Sequence, residues 1–240
     1  MRFSFSIENW FALSAGLSSK SDWELWSKQE SHNWNLPLPK LNKLPMMQAR
    51  RMSIPSRLAV EVGLELIENN ELDLAIFSSR HGELERTYKI LTSLNQANDI
   101  SPTDFALSVH NTASGLFTIN AKQCIPITSL SANNDGFQQS LIEALSILRQ
   151  KDKKVLLIDF DGIVPQPYQD QINQLVPYYA VGYILTNGDQ FTCQSVDKMS
   201  EQNPINYPQS LIFLQAYLNK KQNFIIKGLS QDWQWTKIHE

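Results

Sequence analysis

The sequence has few of the residues from which metal sites and disulfide frameworks are built. Its 240 residues include only two cysteines, Cys124 and Cys193, and four histidines. The cysteines lie far apart without a CxxC motif or a histidine-rich neighbourhood, so neither a zinc site nor a disulfide framework is predicted. We expect free, buried thiols and no metal or cofactor.

Positive charge and long hydrophobic runs are also scarce. The net charge is −3, and the basic residues are scattered apart from the pairs Arg50-Arg51 and Lys153-Lys154, which predicts no nucleic-acid surface. No run approaches the roughly 18 apolar residues of a membrane span, and the first residues alternate like a strand instead of forming a signal peptide. We therefore expect a cytoplasmic chain without a membrane span, folded as a single domain over residues 1–240.

Strand-like and helix-like segments alternate along the chain. Period-2 or wholly apolar segments predict strands at 2–7, 72–79, 126–131, 154–160, 180–186, 191–196 and 223–227. Capping residues and helical periodicity predict helices at 55–70, 83–95, from 101, at 135–150 and at 207–219. The central strands are almost entirely apolar, which favours an α/β fold with a parallel or mixed sheet covered on both faces.

The segment 127–145 has the shape of a nucleophile elbow, in which a short strand leads through a tight turn into an amphipathic helix. Ala132 and Gly136 are small enough to let the strand and the helix meet closely, and Asp135 is predicted to cap the helix. The turn presents Asn133 where an elbow would present cysteine or serine. A neutral amide cannot be deprotonated near pH 7, so it cannot form an acyl intermediate.

Three segments resemble β-ketoacyl synthases, in the order in which that family has them. Residues 126–144 resemble its active-site segment, where a strand runs into a motif of the kind Thr-Ala-Cys-Ala-Ser-Gly. Ala132 and Gly136 match that motif, and Asn133 takes the position of the nucleophilic cysteine. Residues 48–59 resemble the family's Arg-Arg-Met segment before its first helix, and residues 101–117 resemble the helix before its active site.

The likeness is greatest to the short synthase-like proteins called chain-length factors, found beside aryl polyene synthases. Residues 77–83 and 101–115 carry this likeness, and the resemblance is clearest over 1–190. It implies a thiolase-like half-fold with a mixed five-stranded sheet. The other half would carry two catalytic histidines. The chain's own histidines are His32, His81, His110 and His239, and none of them stands at the position of either catalytic histidine. The resemblance thus implies a protein that is not an enzyme by itself.

The resemblance also implies a partner, a full-length β-ketoacyl synthase whose acyl tunnel this chain would shape. In such heterodimers the strand before the elbow pairs with its counterpart across a pseudo-twofold axis, which covers an edge that would otherwise promote aggregation. The residues predicted at the interface or the tunnel are Phe105, Val109, Asn111, Leu116, Phe117, Ile127, Ser129 and Ser131. For Phe105 and Phe117 the alternative is a place in the core.

Two other functions stay open from the sequence. Residues 155–162 resemble the Asp-x-Asp-Gly loop of haloacid-dehalogenase-like phosphotransferases, with Asp159 as nucleophile, Asp161 as acid and base, and Mg²⁺ beside them. Residues 184–188 resemble that family's second motif, although Ile163 stands where the family has threonine. The third function is a binding module for an acidic acyl carrier protein, with Arg50, Arg51 and Arg57 as contacts; ordinary exposed surface is the alternative for all three.

Overall fold

The computed structural model describes residues 1–68, 70–172, 176–198 and 207–238. The strands are β1 (Arg2–Ser14), β2 (Leu74–Ser78), β3 (Ile127–Leu130), β4 (Lys154–Asp161), β5 (Tyr179–Val196), β6 (Asn223–Ile226) and β7 (Asp232–Lys237). The helices are α1 (Lys20–Ser27), α2 (Met46–Ala49), α3 (Ile54–Ile67), α4 (Leu84–Asn95), α5 (Pro102–Ala106), α6 (Thr112–Ala121), α7 (Gly136–Leu148), α8 (Gln166–Gln169) and α9 (Gln209–Leu218).

The strands form one mixed sheet. β2 lies between β3 and β4 and is parallel to both, whereas β5 runs antiparallel to β4 on one side and to β1 on the other. These five strands are the predicted mixed five-stranded sheet. The β6–β7 hairpin extends it, because β7 pairs with the last residues of β5, so the sheet has seven strands in the described residues.

β5 is one strand of 18 residues, and the prediction of two separate strands at 180–186 and 191–196 is wrong. The sequence Asn187-Gly188 looks like a hairpin turn, but β1 pairs with β5 on both sides of it, with a register shift between Phe5 and Ser6. A Cβ atom on Gly188 would lie 2.0 Å from the Ser6 Oγ. The glycine therefore serves a close approach between two strands and does not reverse the chain.

Helices cover both faces of the sheet, as predicted. On one face α3 and α6 pack against the side chains of Ala75, Phe77 and Ile158. On the other face α7 packs against Ile76 and Leu157, and α9 packs against α7, α1 and the ring of Tyr183 in β5. Because the central strands are buried on both faces, they carry apolar residues without alternation.

The structure adds β7, which the sequence analysis did not predict. Its Trp233 and Trp235 are fully buried, and the ring of Trp235 lies 4.8 Å from that of Phe213 in α9. The alternation Asp-Trp-Gln-Trp-Thr-Lys is a period-2 signal for this strand.

The prediction of two buried thiols is half wrong, because Cys193 is buried in the core and Cys124 is exposed.

The helices are short in the part of the chain that the structure describes. The longest, α3, has 14 residues, and a helix needs about 20 to cross a bilayer. No described helix is long and apolar enough for that.

The predicted helix from residue 101 begins as expected, with the Ser101 side chain accepting from the Asp104 N–H, but α5 ends at Ala106 and α6 begins only at Thr112.

Candidate functional site

The predicted elbow is present between β3 and α7. The strand ends at Leu130, Asn133 has a φ of 52°, and α7 begins at Gly136. Asparagine is one of the few residues that adopt this left-handed conformation readily. A Cβ atom on Gly136 would lie 3.1 Å from the Ser78 Oγ, so α7 approaches the end of β2 closely at this glycine.

Asp135 does not cap α7 with its side chain, contrary to the prediction. Its carboxylate instead accepts hydrogen bonds from the Gln209 Nε2 (2.9 Å) and from the Leu229 N–H (3.1 Å). Both donors come from the last part of the chain, which the sequence analysis did not connect to the elbow. The residue therefore fastens the elbow to α9 and to the loop between β6 and β7.

Behind Asn133 lies a cavity of about 30 Å³. Its polar lining consists of Arg80, Asn133, Asn134, Asp159, Asp161, Tyr179 and Gln209. A volume of this size holds about one water molecule. The described residues that line the cavity leave room for a water molecule and not for an acyl chain.

Asp159 and Asp161 are buried beside this cavity, at the end of β4. Asp159 accepts from the hydroxyls of Tyr179 (2.8 Å) and Ser210 (2.5 Å), and burial raises its pKa against the opposing effect of these donors. Asp161 accepts from the Ser79 Oγ and from two backbone N–H groups, and burial raises its pKa to about 7. Both carboxyl groups hold neighbouring segments together.

The phosphotransferase alternative is not supported. Two motifs that act on one phosphate must lie at the same end of the sheet, but β5 runs antiparallel to β4, so Thr186 pairs with Lys154 while Asp161 pairs with Tyr179. Asp159 is only 6% exposed, which keeps it from a phosphate in solution. Nowhere in the described ranges do three or more His, Cys, Asp and Glu side chains form a group able to hold a metal ion.

β3 lies at the edge of the sheet with one side open. The Pro126 and Leu130 carbonyls accept from N–H groups of the β2 segment, so the backbone groups of Ile127 and Ser129 face outward. Within the part of the chain that is described, these outward groups have no hydrogen-bond partner. The Ser129 side chain bonds to the Ser114 Oγ in α6 at 2.7 Å, which holds α6 beside the strand.

Three of the predicted interface residues, Ile127, Ser129 and Ser131, lie in β3 or directly after it, and Asn111 and Leu116 lie at the start of α6 or in it, next to β3. Phe105 is 66% exposed and Val109 50% exposed, and Ile119, which the sequence analysis missed, is 67% exposed. We call Phe105, Val109, Ile119 and the half-buried Leu116 the edge patch. The other predicted residues are partly or well exposed: Asn111, Ile127, Ser129 and Ser131. Exposed apolar side chains of this size are candidates for a contact surface.

Phe117 is the exception among the predicted interface residues. It is fully buried, its ring lies 5.3 Å from that of Phe77, and a Cβ atom on Gly63 would lie 2.8 Å from it. The prediction of a tunnel position is wrong for this chain as it stands, because α6 turns this side chain toward α3 and not toward the edge. Phe117 belongs to the core.

The described histidines have structural positions. The Nε2 atoms of His32 and His110 hydrogen-bond to the carbonyls of Ala15 and Ser79, respectively. Burial, helped by the charge of Arg80, lowers the pKa of His81 to about 4, so this ring is neutral near pH 7. His239 lies outside the described residues.

Comparison with known proteins decides the family. The model described as "Beta-ketoacyl synthase, N-terminal domain" matches residues 23–236. The chain belongs to the β-ketoacyl synthase family. The match continues well past residue 190, where the sequence resemblance was expected to weaken, and includes α9 and the β6–β7 hairpin. A search of curated proteins gave no significant match.

Solved structures agree with this family. One chain of a complex described as "Ketosynthase (ApeO) in Complex with its Chain Length Factor (ApeC)" from Xenorhabdus doucetiae is 40% identical, with a TM-score of 0.91; the alignment covers 98% of this chain and 100% of that one. A β-ketoacyl synthase from Burkholderia phymatum is 14% identical, with a TM-score of 0.56, and the alignment covers 91% of this chain and 71% of that one. The predicted thiolase-like ketosynthase fold is confirmed.

Proposed function

We propose that this member of the β-ketoacyl synthase family is a non-catalytic chain-length factor, which forms a heterodimer with a full-length ketosynthase and shapes its acyl tunnel. The observation that carries the proposal is the open edge of β3. Unpaired backbone groups on an exposed strand invite another strand, and soluble proteins normally cover or disrupt such an edge. A partner strand would satisfy the outward groups of Ile127 and Ser129.

The opposite edge of the five-stranded sheet supports this assignment. On β1 the Trp23 indole donates to the Ala12 carbonyl at 2.9 Å, and the Asn9 side chain accepts from the Trp10 N–H. These bonds occupy outward groups that another strand would need. β3 has no comparable cover in the described residues, so a partner would have to supply it.

The comparison with the Xenorhabdus complex supports a chain-length factor and not the synthase itself. The matched chain is about as long as this one, whereas this chain covers only 71% of the Burkholderia synthase. We infer that the matched chain is the shorter member of the complex, the chain-length factor. By this likeness the product would be an aryl polyene or a related fatty-acid-like chain.

The residues of the elbow support the part of the proposal that says this chain performs no condensation itself. Asn133 stands at the nucleophile position, and its amide cannot attack a thioester. The cavity behind it, about 30 Å³, has room for a water molecule and not for a substrate. The chain would therefore need no cofactor, and it would act through its shape alone, as a single domain.

Phe105 and Val109 are the best candidates for the tunnel wall. Both are at least half exposed in this chain, so a partner that covers the edge patch would find them at its surface. An acyl chain that grew against such a side chain would have to displace it, and overpacking costs about 1–3 kcal/mol. That cost is enough to favour release of the shorter product.

The proposal includes a contact with an acyl carrier protein. Arg50 and Arg51 are exposed, whereas the Arg57 Nε donates to the Met52 carbonyl at 2.9 Å. Carrier proteins are acidic, and two exposed guanidinium groups suit such a surface. We propose Arg50 and Arg51 as its contacts, with Arg57 holding their loop in place.

Co-expression with a full-length ketosynthase tests the proposal. We expect the chain alone to be poorly soluble, since the β3 edge and the edge patch are open, and we expect the pair to elute as one complex in size-exclusion chromatography with light scattering. The matched control is a mixture of the two chains expressed separately. A well-dispersed monomer that does not associate with the ketosynthase in either experiment would contradict the proposal.

A further inference from the structure

α5, which carries Phe105, is held almost entirely by charged side chains. None of its residues, Pro102–Ala106, is buried, so no hydrophobic packing fixes its orientation. Its anchor is Asp104, whose carboxylate accepts from the Arg86 Nη1 (2.5 Å) and from the Lys89 Nζ (2.7 Å) in α4. The neighbouring side chain, Phe105, extends into solvent.

Arg86 is itself fixed at all three guanidinium nitrogens. Besides the Nη1 bond to Asp104, its Nη2 donates to the Arg51 carbonyl at 3.0 Å, and its Nε donates to the Glu83 carboxylate at 3.4 Å. The Arg86 and Asp104 side chains are only 12% and 17% exposed, so water competes with this pair less than with a surface ion pair. Lys89, the other partner of Asp104, is 69% exposed, so water competes with its bond to Asp104 more strongly.

Glu83 ties this network to the core. It is 5% exposed, and it accepts from the hydroxyls of Ser53 (2.8 Å) and Ser56 (2.5 Å), at the start of α3. α3 packs against the centre of the sheet. A continuous chain of hydrogen bonds thus runs from the rigid α3 through Glu83 and Arg86 to α5.

We propose that Arg86 and Asp104 are positioning residues, which fix the direction in which Phe105 points and thereby set the chain length that the ketosynthase complex selects. The effect on chain length rests on the proposed function, whereas the effect on α5 does not. Of the two partners of Asp104, hydrogen bonds hold Arg86 at all three of its guanidinium nitrogens, so Arg86 is the partner that fixes the position of Asp104. Neither residue would touch the growing chain.

Hydrogen exchange on the purified complex tests the positioning step. In Asp104→Asn and Arg86→Lys, we expect the amides of residues 103–108 to exchange about tenfold faster than in the wild type, because a charge-assisted bond is lost. Lys89→Met, which removes only the exposed partner, should change exchange by less than about threefold. Unchanged exchange in both Asp104→Asn and Arg86→Lys would overturn the proposal.

The product distribution of the same complexes tests the second step. We expect Asp104→Asn and Arg86→Lys to broaden the chain-length distribution in the direction that Phe105→Ala shifts it, with Lys89→Met close to wild type. If Phe105→Ala shifts the distribution and neither network variant does, the positioning proposal fails and the proposed function stands. If Phe105→Ala itself has no effect, the proposed tunnel function fails, and the exchange result alone decides whether Arg86 and Asp104 hold α5.

Discussion

Replacing Ser129 by proline is expected to weaken the complex with the ketosynthase strongly while leaving the chain folded. The Ser129 N–H faces away from β2, so proline removes a bond that only a partner strand can make. A partner carbonyl left without its donor in the interface costs about 1–3 kcal/mol, and the ring adds a clash. We expect Kd to rise by about 10- to 100-fold or more, measured by titration of the ketosynthase.

Two control variants separate pairing from folding. Ser129→Ala removes the side-chain bond to Ser114 but keeps the N–H, so binding should stay within about threefold of wild type. Thr128→Pro removes an N–H that faces β2, so it should lower the melting temperature instead. Wild-type affinity of Ser129→Pro would show that β3 does not pair with the partner.

Changing the size of Phe105 is expected to change the length of the product. Phe105→Ala should open the tunnel end and shift the products to longer chains, and Phe105→Trp should shift them to shorter ones. An overpacking cost of about 1–3 kcal/mol corresponds to a change of about fivefold to 150-fold in the ratio of neighbouring chain lengths. Mass spectrometry of the products of each purified complex measures this ratio.

Leu25→Ala is the matched control for Phe105. Leu25 is 63% exposed, close to the 66% of Phe105, but it lies on α1, on the opposite face of the sheet from α6. Its substitution should leave the product ratio unchanged. If both Phe105 variants give the wild-type distribution, Phe105 does not line the tunnel.

Much of the fold could be predicted because its signals are local. The alternation of Phe3, Phe5 and Ile7 gives the first strand, and the apolar run of β4 gives a strand buried on both faces. The elbow follows from the small residues Ala132 and Gly136 between a strand and an amphipathic helix. Neighbours in sequence determine all of these features.

Features that depend on distant parts of the chain were predicted less well. In the sequence Asp135 has the pattern of a helix cap, but in the structure its carboxylate accepts a hydrogen bond from the Gln209 side chain, 74 residues away. In the sequence Gly188 has the pattern of a hairpin turn, but in the structure β1 runs beside it at close approach. Phe117 looks like its exposed neighbours on α6, and only the packing of α6 against α3 shows which side of the helix is covered. Single-sequence patterns do not contain these contacts.

The sequence resemblance predicts the nucleophile position for Asn133, but it does not predict the surroundings of this residue. Tyr179 and Gln209 approach the cavity behind the elbow from β5 and α9, and Arg80 approaches it from the end of β2. No spacing in the sequence connects the four residues. In the described part of the chain they enclose a volume of about 30 Å³.

The intact mass of each subunit, after the co-purified complex has been incubated with acyl-loaded carrier protein, tests the central claim most directly. If an amide occupies the nucleophile position, the acyl group should appear on the ketosynthase alone, and this chain should keep its unmodified mass. An acyl adduct on this chain would contradict the claim that it shapes a condensation that it does not perform.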